Sequence, residues 1–208
     1  MIDKVIVYFE GTSDVACIKT LLKPIVEEKA EKGIAIHFHN VTEGDHKERL
    51  VTTYVDKARN ILKNNKKTIV VLCPDLYPPN KGFKHETFEQ LNDGIYKRFN
   101  DNELQKRFRV FCFKYDLEVL LLASVEGLKE ILKTDNFKVD WKIPVEDQNH
   151  GKSPKKVIQE LFLKHFDGKK QYKETFDAPL ILNSINYKTL KERCPQCFKP
   201  FVEFLEEV

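Results

Sequence analysis

The run Thr68-Ile-Val-Val-Leu-Cys73 carries no charge and is bounded by Asn64-Asn-Lys-Lys67 before it and Pro74-Asp75 after it. A strand with one solvated face alternates apolar and polar residues. A strand apolar at every position is covered on both faces, which is the condition of a central strand in a parallel sheet flanked by helices. Three further runs read as strands: Val5 to Phe9, Ile34 to His39 and Arg109 to Lys114. Helical spacing separates them. Val15, Ile18, Leu21, Leu22 and Ile25 recur at helical intervals, with Pro24 kinking or restarting that helix before Gly33 ends it. A second helix is predicted from His46 to Leu62, a third over His85 to Phe99, and a fourth from Leu117 to Ala123. Strand and helix alternating four times predicts an α/β fold with about four mostly parallel strands flanked by helices.

Beyond Gly127 the strand pattern fades. Leu128 to Leu132 reads as a short helix and Asn136 to Asn149 as irregular. Ser153-Pro154 caps a helix running to His165, and the chain from Tyr187 onward is helical with a division near Cys194-Pro195. The expected organisation is an α/β core over residues 1–126 and a helical C-terminal extension over 127–208, packed on that core. With 208 residues the chain has room for one such domain or two small ones.

The bulk numbers exclude more than they identify. A net charge of +3 does not by itself imply nucleic-acid binding. No apolar run approaches the length of a bilayer span, so no membrane association is expected. Met1-Ile-Asp-Lys4 lacks a basic segment and a long apolar segment, and Cys17, Cys73 and Cys112 lie within apolar helix or strand patterns. Both observations predict a cytoplasmic protein with reduced thiols. The oligomeric state is not legible.

Chemistry concentrates at strand ends. Phe9-Glu10-Gly-Thr-Ser-Asp14 places a carboxylate at the end of the first strand, then Gly11, then a helix start capped by Thr12 or Ser13. Gly11 lets the backbone turn closely, and the helix N-terminus at Gly11, Thr12 and Ser13 favours an anion such as phosphate. Asp75 ends the third strand. If that strand lies beside the first, Glu10 and Asp75 enter one crevice, where converging carboxylates would hold Mg²⁺ or Mn²⁺, hard cations that prefer oxygen. Asp116 and Glu118 follow the fourth strand and enter the same crevice or complement the helix dipole. Each acid has an ordinary alternative: Glu10 as a solvated turn acid, Asp75 as a cap of the Pro-rich turn. Spacing alone does not separate the two readings.

Taken together, these motifs resemble a known family. Glu10-Gly11 with Asp14, between a strand and a helix, resembles the first motif of the TOPRIM domain, found in primases, topoisomerases and the overcoming-lysogenization-defect (OLD) nucleases. The resemblance is closer to domain-of-unknown-function family 4276. It rests on Asp75-Leu-Tyr77 with its prolines, Tyr115-Asp-Leu-Glu118-Val-Leu-Leu121, Leu190-Lys-Glu-Arg-Cys-Pro195 and Phe198 to Leu205. It implies a Rossmann-like TOPRIM core and a metal-dependent nuclease acting on DNA or RNA, in defence against mobile elements. Glu10 would be the general acid-base, Asp75 a metal ligand and Glu118 a further acid. One departure stands out. The second TOPRIM motif has two aspartates separated by one residue, and this chain has Tyr77 at the second place. The metal would then draw on Glu10, Asp75 and the substitutes Asp14, Asp116 or Glu118. The departure also keeps open a non-catalytic nucleic-acid or nucleotide-binding subunit that works with a partner such as an ATPase. A small-molecule phosphate-binding module is a third reading.

Three other signals are weaker. Lys152, Lys155, Lys156, Lys164, Lys169 and Lys170, with Lys173, His150 and His165 nearby, form a basic stretch suited to a phosphate backbone. Val157, Leu161 and Phe162 would face the core and leave Lys155, Lys156 and Lys164 in solvent. His37 and His39 share one face of a strand without a third ligand. Cys194-Pro-Gln-Cys197 has half the spacing of a zinc site and no second pair, so packing is the expected role.

Overall fold

The computed structural model describes residues 1–79, 81–134, 144–147 and 152–208. Four strands form one sheet: β1 (Lys4–Phe9), β2 (Ala35–Asn40), β3 (Thr68–Cys73) and β4 (Phe108–Val110), in the order β2-β1-β3-β4 and all parallel. Every residue of β3 is buried, as its uninterrupted apolar run requires. The period of two along the strands sorts side chains between two cores. Val5, Val7, Phe9, Val71 and Cys73 join one, while Tyr8, Val70 and Leu72 join the other.

The first core packs against α1 (Thr12–Leu21), α2 (Lys23–Glu31) and the helices of the C-terminal half. Those helices are α6 (Glu118–Ala123), α7 (Val125–Leu132), α8 (Pro154–His165), α9 (Glu174–Asn183), α10 (Tyr187–Arg193) and α11 (Phe198–Glu207). The second core packs against α3 (His46–Val51), α4 (Thr53–Asn64) and α5 (Phe88–Phe99). Pro24 restarts a helix rather than kinking one, because α2 begins at Lys23 and places the proline in its first turn. The expected helix over His46 to Leu62 is two helices. The β-branched run Val51-Thr-Thr53 gives way at Thr52 (φ −122°, ψ −82°), and the Thr52 carbonyl accepts from Arg98 Nε at 3.1 Å.

Other boundaries differ in ways that matter to the site. Residues 85–87 lie outside α5, which Thr87 caps by accepting from the Gln90 backbone N–H. Strand β4 ends at Val110 rather than Lys114. The chain continues beside the loop after β3 through Phe113 N–H to Pro74 O (3.1 Å), Leu76 N–H to Phe113 O (2.9 Å) and Tyr77 N–H to Tyr115 O (3.0 Å). Tyr115 takes φ +81° there, a left-handed conformation that a bulky residue adopts only when its neighbours impose it. Helix α8 begins with the expected cap, Ser153 Oγ accepting from Lys156 N–H. The irregular stretch read over Asn136 to Asn149 lies outside the described residues apart from 144–147, as does His150.

The Cys194-Pro-Gln-Cys197 segment has a packing role. The fully buried Glu146 accepts the Gln196 and Cys197 backbone N–H groups, each at 2.8 Å, and the Cys197 thiol at 3.0 Å. All five cysteines are buried and unbridged. His37 and His39 stack with ring centroids 6.2 Å apart on β2.

The tightest constraint in the C-terminal half is where α7 meets α9. A Cβ placed at Gly127 would lie 2.0 Å from the Ile181 carbonyl oxygen, which is backbone and cannot rotate away. Gly127→Ala is expected to cost about 1–3 kcal/mol, the range for overpacking a filled core. Differential scanning calorimetry should show the melting temperature falling by several degrees.

Candidate active site

Helix α1 begins where β1 ends. Gly11, in extended geometry (φ −114°, ψ 160°), makes the turn, and its N–H donates to Asp14 Oδ2 at 2.8 Å. The register Phe9↔Cys73 sets the end of β1 beside the end of β3. That adjacency brings Glu10 to Asp75, whose backbone N–H donates to Glu10 Oε1 at 3.0 Å. The extension beyond β4 then delivers Asp116 and Glu118 to the same place.

A cavity of about 840 Å³ opens at this carboxyl edge of the sheet, lined by Glu10, Asp14, Asp75, Asp116, Glu118 and Glu174 together with Lys47, Lys155 and Tyr77. With Asp45 and Lys81 at its margin, the described lining holds seven carboxylates and three lysines. This is the place where open α/β sheets bind ligands.

Burial sets the protonation of these acids. Desolvation is the largest cause in each case and disfavours the ionised form. It raises Glu10 to about 7, against the opposing attraction of Lys47 and the Asp75 N–H. Asp14 rises to about 6 and Asp116 to about 7, in each case against a backbone hydrogen bond that holds the carboxylate down. Glu118 rises to about 8, pushed further by the charge of Asp116. Asp75 lies well above its ordinary value through burial and then through Glu10. Glu174 runs the other way. Burial would raise it, but hydrogen bonds from Lys155 and Ser13 outweigh that and lower it.

The two cations that reach these acids, Lys47 with its head group buried and the half-exposed Lys155, are placed differently. Lys155 Nζ pairs with Glu174 Oε2 and lies 3.8 Å from Glu118 Oε1, while its backbone N–H reaches Asp116 Oδ2 at 3.4 Å. Lys47 Nζ is 3.7 Å from Glu10 Oε1 and, among the described residues, has no hydrogen-bond partner. Tyr172 donates its hydroxyl to Glu118 Oε1 at 3.3 Å.

The structure therefore brings together Glu10, Asp14, Asp75, Asp116 and Glu118. Of the other predicted site residues, Gly11 and Lys155 also line this cavity, and the rest lie outside its lining. Ser13 is buried and donates to Glu174 Oε1 at 2.7 Å, the Gly11 N–H serves Asp14, and Thr12 is exposed outside the cavity lining. Lys155 does not point to solvent with Lys156 and Lys164 as expected; its head group turns into the acids because they attract it. Lys152 pairs with Glu160 at 3.0 Å. Lys170 pairs with Asp177 and lies over the Phe162 and Phe166 rings. Lys156, Lys164 and Lys169 are exposed. Sequence reasoning missed Glu174, Lys47 and Tyr172. Nothing in the local pattern marks Lys47 or Tyr172. Glu174 opens α9, a helix the sequence reading does not identify because Pro179 interrupts its pattern.

The donor chemistry fits a hard divalent cation: the acids offer only oxygen, and Asp116 Oδ1 is buried without a hydrogen-bond partner among the described residues. As placed, no group of three or more His, Cys, Asp or Glu side chains among the described residues is arranged to hold a metal ion.

Fold and site together define an α/β protein with a carboxylate-lined crevice at the C-terminal edge of a four-stranded parallel sheet. The same fold occurs in the C-terminal region of the Burkholderia pseudomallei OLD protein, with a TM-score of 0.55 and 12% identity over 100% of this chain and 98% of that chain. It also occurs in the C-terminal region of the Xanthomonas campestris pv. campestris OLD protein, with a TM-score of 0.50 and 15% identity over 100% of this chain and 96% of that chain. No curated protein matches the sequence. The chain belongs to the family described as domain of unknown function DUF4276, whose model matches residues 9–206. No helix among the described residues is long and apolar enough to cross a membrane.

The raised carboxyl values fix the sign of a pH effect on stability. A group whose folded value lies above its unfolded one binds protons more tightly when folded, so its contribution is full below about pH 4 and is lost as pH rises through the folded value. For Glu10, Asp116 and Glu118 together that window runs from about 3.8 to 8. In EDTA, the melting temperature should fall from pH 5 to pH 8, and Glu118→Gln should flatten the fall. An unchanged slope in Glu118→Gln would contradict this account.

Proposed function

We propose that this chain is a TOPRIM-type phosphodiesterase that cleaves nucleic acid with Mg²⁺ or Mn²⁺. The observation that carries the reading is the convergence of Glu10, Asp14, Asp75, Asp116 and Glu118 in one desolvated crevice. The likeness in fold to OLD C-terminal regions and the first-motif pattern at Glu10 support it. Glu10, Asp75, Asp14 and Asp116 would have to draw together to hold the cation, which when bound supplies an activated water and charge neutralisation at the phosphoryl group. Burial raises Glu10 to about 7, the range that suits a proton-transfer group near neutral pH. Burial raises Glu118 to about 8, and it would act as a further acid, oriented by Tyr172. Lys155 and Lys47 would compensate charge at the two sides of the crevice. Lys152, Lys156, Lys164, Lys169 and Lys170 would meet the substrate backbone, and defence against mobile elements is the setting this activity would serve.

The assay is cleavage of single- and double-stranded DNA and RNA with each metal. Glu10→Gln should retain wild-type circular dichroism and lose about 100-fold or more in rate, the lower part of the range for general acid-base groups. Absence of cleavage across substrates and metals, with and without an added ATPase partner, would overturn the proposal.

A second reading has its own observation. Tyr77 stands in the crevice lining where the second TOPRIM aspartate would be, which suits a non-catalytic nucleic-acid or nucleotide-binding subunit that works with a partner such as an ATPase. Filter binding in EDTA should then persist and be unchanged by Asp75→Asn.

A further inference from the structure

A second cavity, of about 690 Å³, lies on the other side of the wall that bounds the acidic crevice. The wall is two paired chain segments whose successive residues divide between the two spaces. Asp75 and Tyr77 line the crevice and Leu76 lines the second cavity; Asp116 lines the crevice, and Lys114 and Tyr115 line the second cavity. The segments are held together by Leu76 N–H to Phe113 O and Tyr77 N–H to Tyr115 O, with the Tyr77 and Tyr115 rings 5.8 Å apart. The two spaces are therefore separated by a single layer of residues.

The two linings differ in kind. The crevice is acidic and built around charge. The second cavity is walled by the rings of Phe88, Tyr96 and Tyr115 and by Leu76. The Tyr96 hydroxyl is engaged with the Phe108 carbonyl at 3.4 Å, so its ring serves as an apolar surface. Phe88, in the first turn of α5, remains 36% exposed, although a phenyl ring at a helix start normally finds cover. Lys114 is the one cation in the described lining, and Asp147 (3.0 Å) and Gln196 (2.7 Å) already hold it. With Glu86 and Glu89 also at this lining, a phosphate has no cation to receive it. A neutral, flat heterocycle does have a place. Asn92 lines the cavity, and its Oδ1 is buried without a hydrogen-bond partner among the described residues. Turned into the cavity, that unmet amide would sit beside aromatic walls and suit the exocyclic amine of a nucleobase, which asparagine recognises through paired amide contacts.

We infer that this second cavity binds an amine-bearing nucleobase, stacked against Phe88 and hydrogen-bonded to Asn92. The base comes from an unpaired nucleotide next to the phosphate in the acidic crevice, or from a free nucleotide. The inference rests on the reading of the crevice as a nucleic-acid site, and it makes an unpaired strand the preferred substrate, because a base inside a duplex cannot leave its stack without cost.

The test uses 2-aminopurine, a fluorescent base with an exocyclic amine, in three forms: within a short single strand, within the matching duplex, and as the free riboside. Binding is read in EDTA by fluorescence quenching, so it reports the cavity without cleavage. The single strand should bind saturably and more tightly than the duplex. Phe88→Ala and Asn92→Leu should each weaken binding about tenfold or more, the scale of losing one base–aromatic stack. Phe88 is exposed enough that its replacement leaves the fold intact, which circular dichroism checks. Riboside binding as tight as the single strand would assign the cavity to a free nucleotide; riboside binding that is much weaker would assign it to the strand. Wild-type affinity in both variants, or no quenching with any probe, would overturn the inference. Cleavage by the wild-type protein is measured separately. Loss of the nuclease reading with base binding retained is therefore distinguishable from loss of base binding alone.

Discussion

Asp75 gives its backbone N–H to Glu10 across the β1/β3 pair, and the arrangement of the crevice follows from that bond. It exists because β1 and β3 are neighbours in register, with Phe9 opposite Cys73. It fixes Glu10 where the sheet ends, so that Asp14, one turn into α1, and Asp116, beyond β4, are forced close to it. Carboxylates so crowded and desolvated do not all ionise. The protein meets the excess in three ways: raised proton affinities, two lysines that line the crevice, and a set of N–H and O–H donors from Gly11, Asp75, Lys155 and Tyr172. The cost of holding such a group is borne by two apolar cores on either side of the sheet.

The C-terminal helices complete the crevice rather than only covering the sheet. Lys155 on α8 and Glu174 on α9 form a pair that reaches the acids begun by β1 and β3. Ser13 ties α1 to Glu174, and Tyr172, just before α9, reaches Glu118. The close approach of Gly127 to Ile181 holds α9 in the position that makes these contacts. A change in helix packing far from β1 would therefore alter the charge balance at Glu118.

The fold was largely visible in the pattern of residues, and the site only in part. The apolar run of β3 announces a covered central strand, and the alternation around it implies a parallel sheet. Glu10, Asp75, Asp116 and Glu118 were visible because each follows a strand, and strand ends share one edge in such a sheet. Lys155 was legible as a helix residue, but periodicity does not distinguish a face turned to solvent from one turned to a charged crevice. Glu174 was hidden by α9, whose Pro179 breaks the usual helical signature and whose place in the site depends on tertiary packing. Thr52 shows the same limit on a smaller scale: a break of one residue, set by β-branched neighbours and the guanidinium of Arg98, lies inside an apparently continuous helical pattern.

Tyr77 changes the problem the crevice has to solve. An aspartate there would add another desolvated carboxylate to a group whose members already hold their protons more tightly than usual. Tyrosine adds none, and its ring lies against Tyr115 on the wall that separates the acidic crevice from the aromatic cavity. The crevice instead gathers its carboxyl groups from Glu10, Asp14, Asp75, Asp116, Glu118 and Glu174, with Lys47 and Lys155 set among them. A crevice arranged in this way answers to what approaches it. A divalent cation would favour ionised acids and displace protons, whereas protonated acids lower the charge that a nucleic-acid phosphate must face. With a tyrosine at this position the wall carries an aromatic ring rather than a further carboxylate.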